Sequence, residues 1–172
     1  MPYIRFHIPP AAANLLLLIL LLTTPVQAEP LFRDLNGDER TIDEFRQDGR
    51  WLVVMIWASD CHVCNAEARQ YVAFHEQHRE SDAVVLGISL DGYANRRDAA
   101  TFIERNNVTF PNVVGEASAV NDWYTAQTGE PFYGTPTFLI FGPSGELLAK
   151  QPGAVPVDLI ESFIARNASA SG

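Results

Sequence analysis

The sequence predicts an α/β domain in which a central mixed β-sheet is covered by helices on both faces. Three observations carry this. Two apolar, β-branched runs, "WLVVMIW" (51–57) and "AVVLGISLD" (83–91), have the continuous hydrophobicity of strands buried on both sides. A helical stretch separates them, as a right-handed parallel crossover requires. Near the end, "TPTFLIF" (135–141) and "GELLAKQ" (145–151) flank "GPSG", a turn signal that makes the pair antiparallel. At 172 residues and 47% hydrophobic content, the chain can bury one core without cross-links.

The elements follow in order. "MPYIRFHIPP" carries Arg5, "AAANLLLLILLL" is an apolar run, and "TTPVQA" ends on small residues, the layout of a secretory signal peptide over residues 1–28. The run is shorter than the roughly 18 to 20 residues of a membrane-spanning helix. Cleavage after Ala28 is therefore expected, with an uncleaved anchor as the alternative. Residues 29–168 form the domain. After the first buried strand, "ASD" makes a turn, and Asp60 is the expected N-cap of a helix holding Cys61 to Cys64 in its first turn. That helix continues through "NAEARQYVAFHEQHR", with Ala68, Tyr71, Val72 and His75 at helical spacing, a stripe that reads as core packing. "NRRDAATFIERNN" (95–107) is a helix capped by Asn95, and "ASAVNDWYTAQTG" (117–129) a helix stopped by Gly129. "VPVDLIESFIARNA" (155–168) closes the domain with Leu159, Ile160 and Phe163 on one face. Residues 169–172 are expected to be a disordered tail. No internal repeat or second domain is visible.

Charge and motifs exclude several function classes. A net charge of −9 with a single lysine, Lys150, is unsuited to nucleic acid, which needs clustered cations. No glycine-rich dinucleotide fingerprint occurs, so no nicotinamide or flavin cofactor is expected.

The two cysteines of the chain, Cys61 and Cys64, lie in "WASDCHVCNAE" (57–67). As a staple they would close a loop too short to remove much unfolded-state entropy. As metal ligands they would need His75 and His78, whose spacing falls short of zinc patterns and whose polar run "HEQHRE" reads as a solvated helix end. A redox pair fits best. Cysteines at i and i+3 on a helix are close enough to bridge. The helix N-terminus stabilises a thiolate at Cys61, the expected attacking sulfur, while Cys64, one turn in, suits the resolving role. His62 either adds positive charge beside the thiolate or is a plain exposed histidine.

These stretches, together with "GTPTFLIFGPSGELL", resemble a thioredoxin-fold protein, and within that fold the exported TlpA and ResA type of thiol-disulfide oxidoreductase. The resemblance spans nearly all of residues 30–166. It implies that Pro136 is a cis-proline lying against the disulfide, that Thr135 faces the substrate, and that Glu67 is buried near the active site and assists proton transfer. Three positions depart from the pattern: Asp60 stands where tryptophan is frequent, Val63 where proline is usual, and Met55 where thioredoxins carry a buried acid. Asp60, His62 and Val63 are the residues expected to set the redox potential.

The function expected from the resemblance is an exported enzyme that exchanges its disulfide with cysteine-containing client proteins, acting as a reductant of the cytochrome c or copper-site maturation type. The alternatives are an oxidant of the DsbA kind and, on the same fold, a Cu(I) chaperone. A reductant needs a membrane electron-transfer partner. The expected location is the periplasm, and the expected state a monomer without bound metal.

Overall fold

The computed structural model describes residues 32–46 and 49–170. The expected signal segment, 1–28, lies outside them, as do 171–172. Among the described residues no helix is long and apolar enough to cross a membrane. The elements are β1 (Phe32–Arg33), β2 (Glu39–Arg40), a 3-10 turn (Ile42–Phe45), β3 (Trp51–Trp57), α1 (His62–His78), β4 (Ala83–Ser89), a 3-10 turn (Tyr93–Asn95), α2 (Arg96–Arg105), β5 (Asn112–Val114), α3 (Ala117–Thr128), β6 (Thr137–Phe141), β7 (Leu147–Pro152) and α4 (Val157–Ala170).

The strands form one mixed sheet in the order β2-β1-β5-β4-β3-β6-β7. The β3–β4 and β4–β5 pairs are parallel, and every other neighbour is antiparallel. The continuous apolar runs behave as expected: every residue of β3 and β4 is buried. Alternation within β3 sorts the core into two layers. Trp51, Val53, Met55 and Trp57 pack with Cys64, Ala68, Tyr71 and Phe74 of α1, Phe102 of α2 and Ile160 of α4. Leu52, Val54 and Ile56 face Val120, Trp123 and Tyr124 of α3. Each large apolar side chain buried in this way contributes about 1.5 to 3 kcal/mol.

Several expectations need correction. The strand β5 and the β1–β2 ribbon, absent from the sequence reading, extend the sheet; at two or three residues each they leave no period to detect. In α4 the buried stripe is Ile160 and Ile164, with Phe163 packed beside it, whereas Leu159 is exposed. This helix also runs through Ala170, two residues into the expected tail. Asn95 precedes α2 but makes no side-chain cap; its Nδ2 donates instead to the Asp91 carbonyl. The turn between β6 and β7 forms as expected, with Gly145 at φ 89°, and Gly129 ends α3 in the left-handed region.

The end of α1 differs most from the expected solvated run. His75 is buried and its Nδ1 accepts the Val85 backbone N–H at 3.2 Å. Strand β5 explains why: it pairs with β4 only from Gly87 to Ser89. The N–H of Val85 lies beyond that ladder, and the imidazole takes the place of a strand. His78 stacks on Phe74 and sits 2.7 Å from Asp82.

Candidate active site

Parallel strands β3 and β4 end on the same edge of the sheet, and the turn leaving β3 delivers Cys61 and Cys64 to the start of α1. The two are joined in a disulfide, with Cα atoms 5.2 Å apart. Cys61 itself is the N-cap, with extended backbone, and its Sγ accepts the Cys64 N–H at 3.1 Å. The expected cap, Asp60, is exposed and takes no part in capping. Sulfur replaces the carboxylate because the turn bond from the Cys61 N–H to Ala58 O sets Cys61, one residue later, at the capping position.

Burial distinguishes the cysteines. Cys64 is fully buried against Ala68 and the β3 layer, whereas Cys61 is half-exposed. His62 and Val63 are both exposed, Val63 at 46%. The aromatic floor beneath the turn is Trp57, stacked on Phe102 with centroids 4.0 Å apart; its indole N–H donates to Asn112 Oδ1 at 3.0 Å.

Polar contacts hold the turn on two sides. The Ser59 N–H and hydroxyl both donate to the Asp91 carboxylate, at 3.1 and 2.9 Å, and Ser89 Oγ donates to its other oxygen at 2.7 Å. On the other side, Asn65 Nδ2 donates to the carbonyls of Cys61 (2.9 Å) and Ser59 (3.3 Å). Neither Asp91 nor Asn65 was singled out from sequence: Asp91 reaches Ser59 across 32 residues, and Asn65, whose bonds to Cys61 and Ser59 are local, meets Arg105 40 residues further on.

The Thr135–Pro136 bond is cis, as the resemblance implies. Register places it at the site: Thr137 of β6 pairs with Ile56 of β3, so Pro136 stands at the strand end from which the cysteine turn departs. Pro136 is buried and Thr135 half-buried. The Pro136 carbonyl accepts the Gly153 N–H at 2.8 Å.

Glu67 is one turn beyond Cys64 but is half-exposed, short of the burial expected for it. Its Oε2 accepts Gln70 Nε2 at 2.6 Å. Gln70 Oε1 in turn accepts the Val157 N–H at the start of α4. Tyr71, stacked on Phe138, donates its hydroxyl to Val155 O at 2.8 Å. Burial pushes that phenol well above its ordinary pKa, with the Glu67 charge adding to the effect.

Among the described residues no group of three or more His, Cys, Asp or Glu could hold a metal ion. His75 bonds the backbone of β4 and His78 bonds Asp82, so the fold assigns both to structural contacts away from the cysteines.

The AhpC/TSA family model matches residues 25–150. The chain belongs to the AhpC/TSA family. Similarity to individual proteins agrees with this family and with the TlpA/ResA resemblance. The thiol-disulfide oxidoreductase ResA of Oceanobacillus iheyensis is 25% identical over 127 residues, or 74% of this chain. The chain spans 62% of that relative's length. Among solved structures, the thioredoxin domain of a thiol-disulfide oxidoreductase from Bacteroides vulgatus superposes with a TM-score of 0.64 at 20% identity, covering 78% of this chain and 91% of that one. StoA from Bacillus subtilis gives 0.59 at 19% identity, covering 77% and 93%. This AhpC/TSA member therefore has the thioredoxin fold.

Proposed function

We propose that this AhpC/TSA-family chain is an exported thiol-disulfide oxidoreductase that reduces disulfides in cysteine-containing client proteins. The observation that carries the reading is the asymmetric pair at the start of α1: a half-exposed Cys61 whose sulfur accepts a backbone N–H, over a fully buried Cys64. In the reduced protein the Cys64 N–H and the helix dipole favour the Cys61 thiolate. That thiolate attacks one sulfur of a client disulfide, forming a mixed disulfide and releasing the other client sulfur as a thiolate. Cys64 then loses its proton and attacks Cys61 Sγ; the Cys61–Cys64 bond forms and the second client thiolate leaves. Two electrons pass to the client, whose thiolates take up protons.

Glu67, within one helical turn of Cys64, is the residue proposed to accept the Cys64 proton. Thr135 and Pro136 are proposed to bind the client backbone, and Asp60, His62 and Val63 to tune the potential. Re-reduction requires a dithiol donor, for which a membrane electron-transfer protein facing the periplasm is the natural source. The leader-like segment 1–28 supports export, and the TlpA/ResA resemblance implies a role of the cytochrome c or copper-site maturation type.

Equilibration with glutathione buffers tests the direction. A reductant gives a potential well below that of glutaredoxins, which lie near −200 to −230 mV. A value near −120 mV overturns the reductant reading in favour of an oxidant.

A further inference from the structure

We infer that Asn65 is a positioning residue for Cys61, and that it conveys the positive charge of Arg105 on α2 to the reacting end of α1. The inference rests on the redox reading of Cys61 and Cys64. Asn65 is the residue after the second cysteine, and its carboxamide is fully engaged. Nδ2 donates to the carbonyls of Cys61 and Ser59 at 2.9 and 3.3 Å. Oδ1 accepts Arg105 Nη2 at 2.5 Å and Asn106 Nδ2 at 3.0 Å. Asn106 is buried and also donates to Phe102 O, so the α2 side of the contact is fixed.

Two consequences follow from this geometry. The first is orientation: with two carbonyls of the turn held by one amide, the backbone around Cys61 is fixed where its sulfur meets the Cys64 N–H. The second is electrostatic. A guanidinium bonded to Oδ1 polarises the amide, which strengthens the donation from Nδ2 to the Cys61 carbonyl. Aligned this way, the chain Arg105, Asn65, Cys61 brings positive potential to the helix N-terminus and stabilises the thiolate relative to the disulfide.

Other charges around the turn are Asp60 and His62 beside Cys61, Glu67 and Arg69 further along α1, and Asp91 after β4. Asp91 is committed to Ser59 and Ser89 on the opposite side. Arg105 is tied to the cysteine turn through its bond to Asn65 Oδ1.

The test is the equilibrium constant of the Cys61–Cys64 couple against glutathione, measured in the full chain beside thermal stability and the pH dependence of Cys61 alkylation. Asn65→Ala is expected to lower the potential so that the equilibrium moves about tenfold toward the disulfide, about 30 mV for a two-electron couple, and to shift the alkylation profile to higher pH. Arg105→Ala, at an exposed position, is expected to move both in the same direction by about threefold, with Arg105→Lys restoring most of the change. A wild-type chain with no reversible dithiol couple overturns the redox reading itself. A normal wild-type couple, with both alanine variants at the wild-type potential and only the melting temperature lowered, overturns the inference and leaves the redox reading standing.

Discussion

His75 Nδ1 accepts the backbone N–H of Val85 at 3.2 Å, so a buried imidazole completes the hydrogen bonding of β4 ahead of the point where β5 begins. To accept, Nδ1 must be unprotonated, with the ring proton on Nε2. Burial lowers the His75 pKa below its usual 6.5; Glu76 on the same helix opposes the shift and Arg79 adds to it. Glu44, Arg50 and Glu80 line the same cavity of about 480 Å³ as His75.

The first prediction follows from the sign of that shift. Because the folded pKa lies below the unfolded value, the unfolded chain binds more protons between the two. The contribution of His75 is therefore complete above pH 6.5 and declines as pH falls below it. Melting temperatures measured from pH 8 to 5 should fall on the acid side for the wild-type chain. His75→Leu should flatten that part of the slope and cost about 1 to 3 kcal/mol at pH 7.5, since the Val85 N–H loses its partner. An unchanged slope in the variant removes His75 as the cause.

Gly87 has a different constraint. A Cβ there would stand 1.8 Å from Asn112 Oδ1 and 2.7 Å from Trp57 Nε1. It would thus intrude on the hydrogen bond that anchors the indole beneath the cysteine turn. Gly87→Ala should destabilise the domain by about 2 kcal/mol, within the range for overpacking. In an Asn112→Ala background the same change should cost less, because the obstructing oxygen is gone. Chemical denaturation of the four proteins of this cycle decides it; strict additivity contradicts the proposed clash.

How far these features were legible in the sequence depends on the range of the interaction. Strands β3 and β4, helix α1, the β6–β7 hairpin and the cysteine pair are local patterns, and each was readable. The cis bond at Pro136 came from resemblance, because proline alone predicts the trans form. His75 belongs to two patterns, the core stripe with Ala68, Tyr71 and Val72 and the polar run "HEQHRE"; its burial follows the stripe, and its N–H partner exists only because β5 begins beyond Val85. Asp60 was misread as a cap because the cap preference scale favours aspartate over cysteine, whereas the turn geometry put Cys61 in that place. Asp91 carries no signal of its own until β4 is brought to the turn, and Asn65, although it bonds Cys61 within its own helical turn, gains Arg105 and Asn106 only once α2 packs there.

The burial difference between the cysteines predicts their kinetics. In the reduced protein, Cys61 should be alkylated at least about tenfold faster than Cys64, following thiolate character and access. Cys64→Ser should accumulate clients as mixed disulfides on Cys61, identifiable by mass spectrometry after non-reducing separation. Clients held on Cys64 in the reciprocal Cys61→Ser protein, and absent from Cys64→Ser, would reverse the two roles.

Glu67 yields the last prediction. Its carboxylate is near Cys64 in the helix, half-exposed, and oriented by Gln70, whose own amide also meets Val157. A proton acceptor acting on Cys64 should affect the second exchange step and leave the first unchanged. Glu67→Gln should therefore slow resolution of a preformed mixed disulfide on Cys61 by about a hundredfold near pH 7, the low side of what a positioned base supplies. Its attack on a model disulfide should stay within about twofold of wild type. Gln70→Ala should give a smaller slowing of the same step, because the carboxylate is retained but no longer held. Since the Glu67→Gln change is nearly isosteric and the residue is half-exposed, stability should change by less than about 0.5 kcal/mol. Stopped-flow decay of the mixed disulfide separates the steps, and a resolution rate equal to wild type in Glu67→Gln removes the carboxylate from the proton transfer.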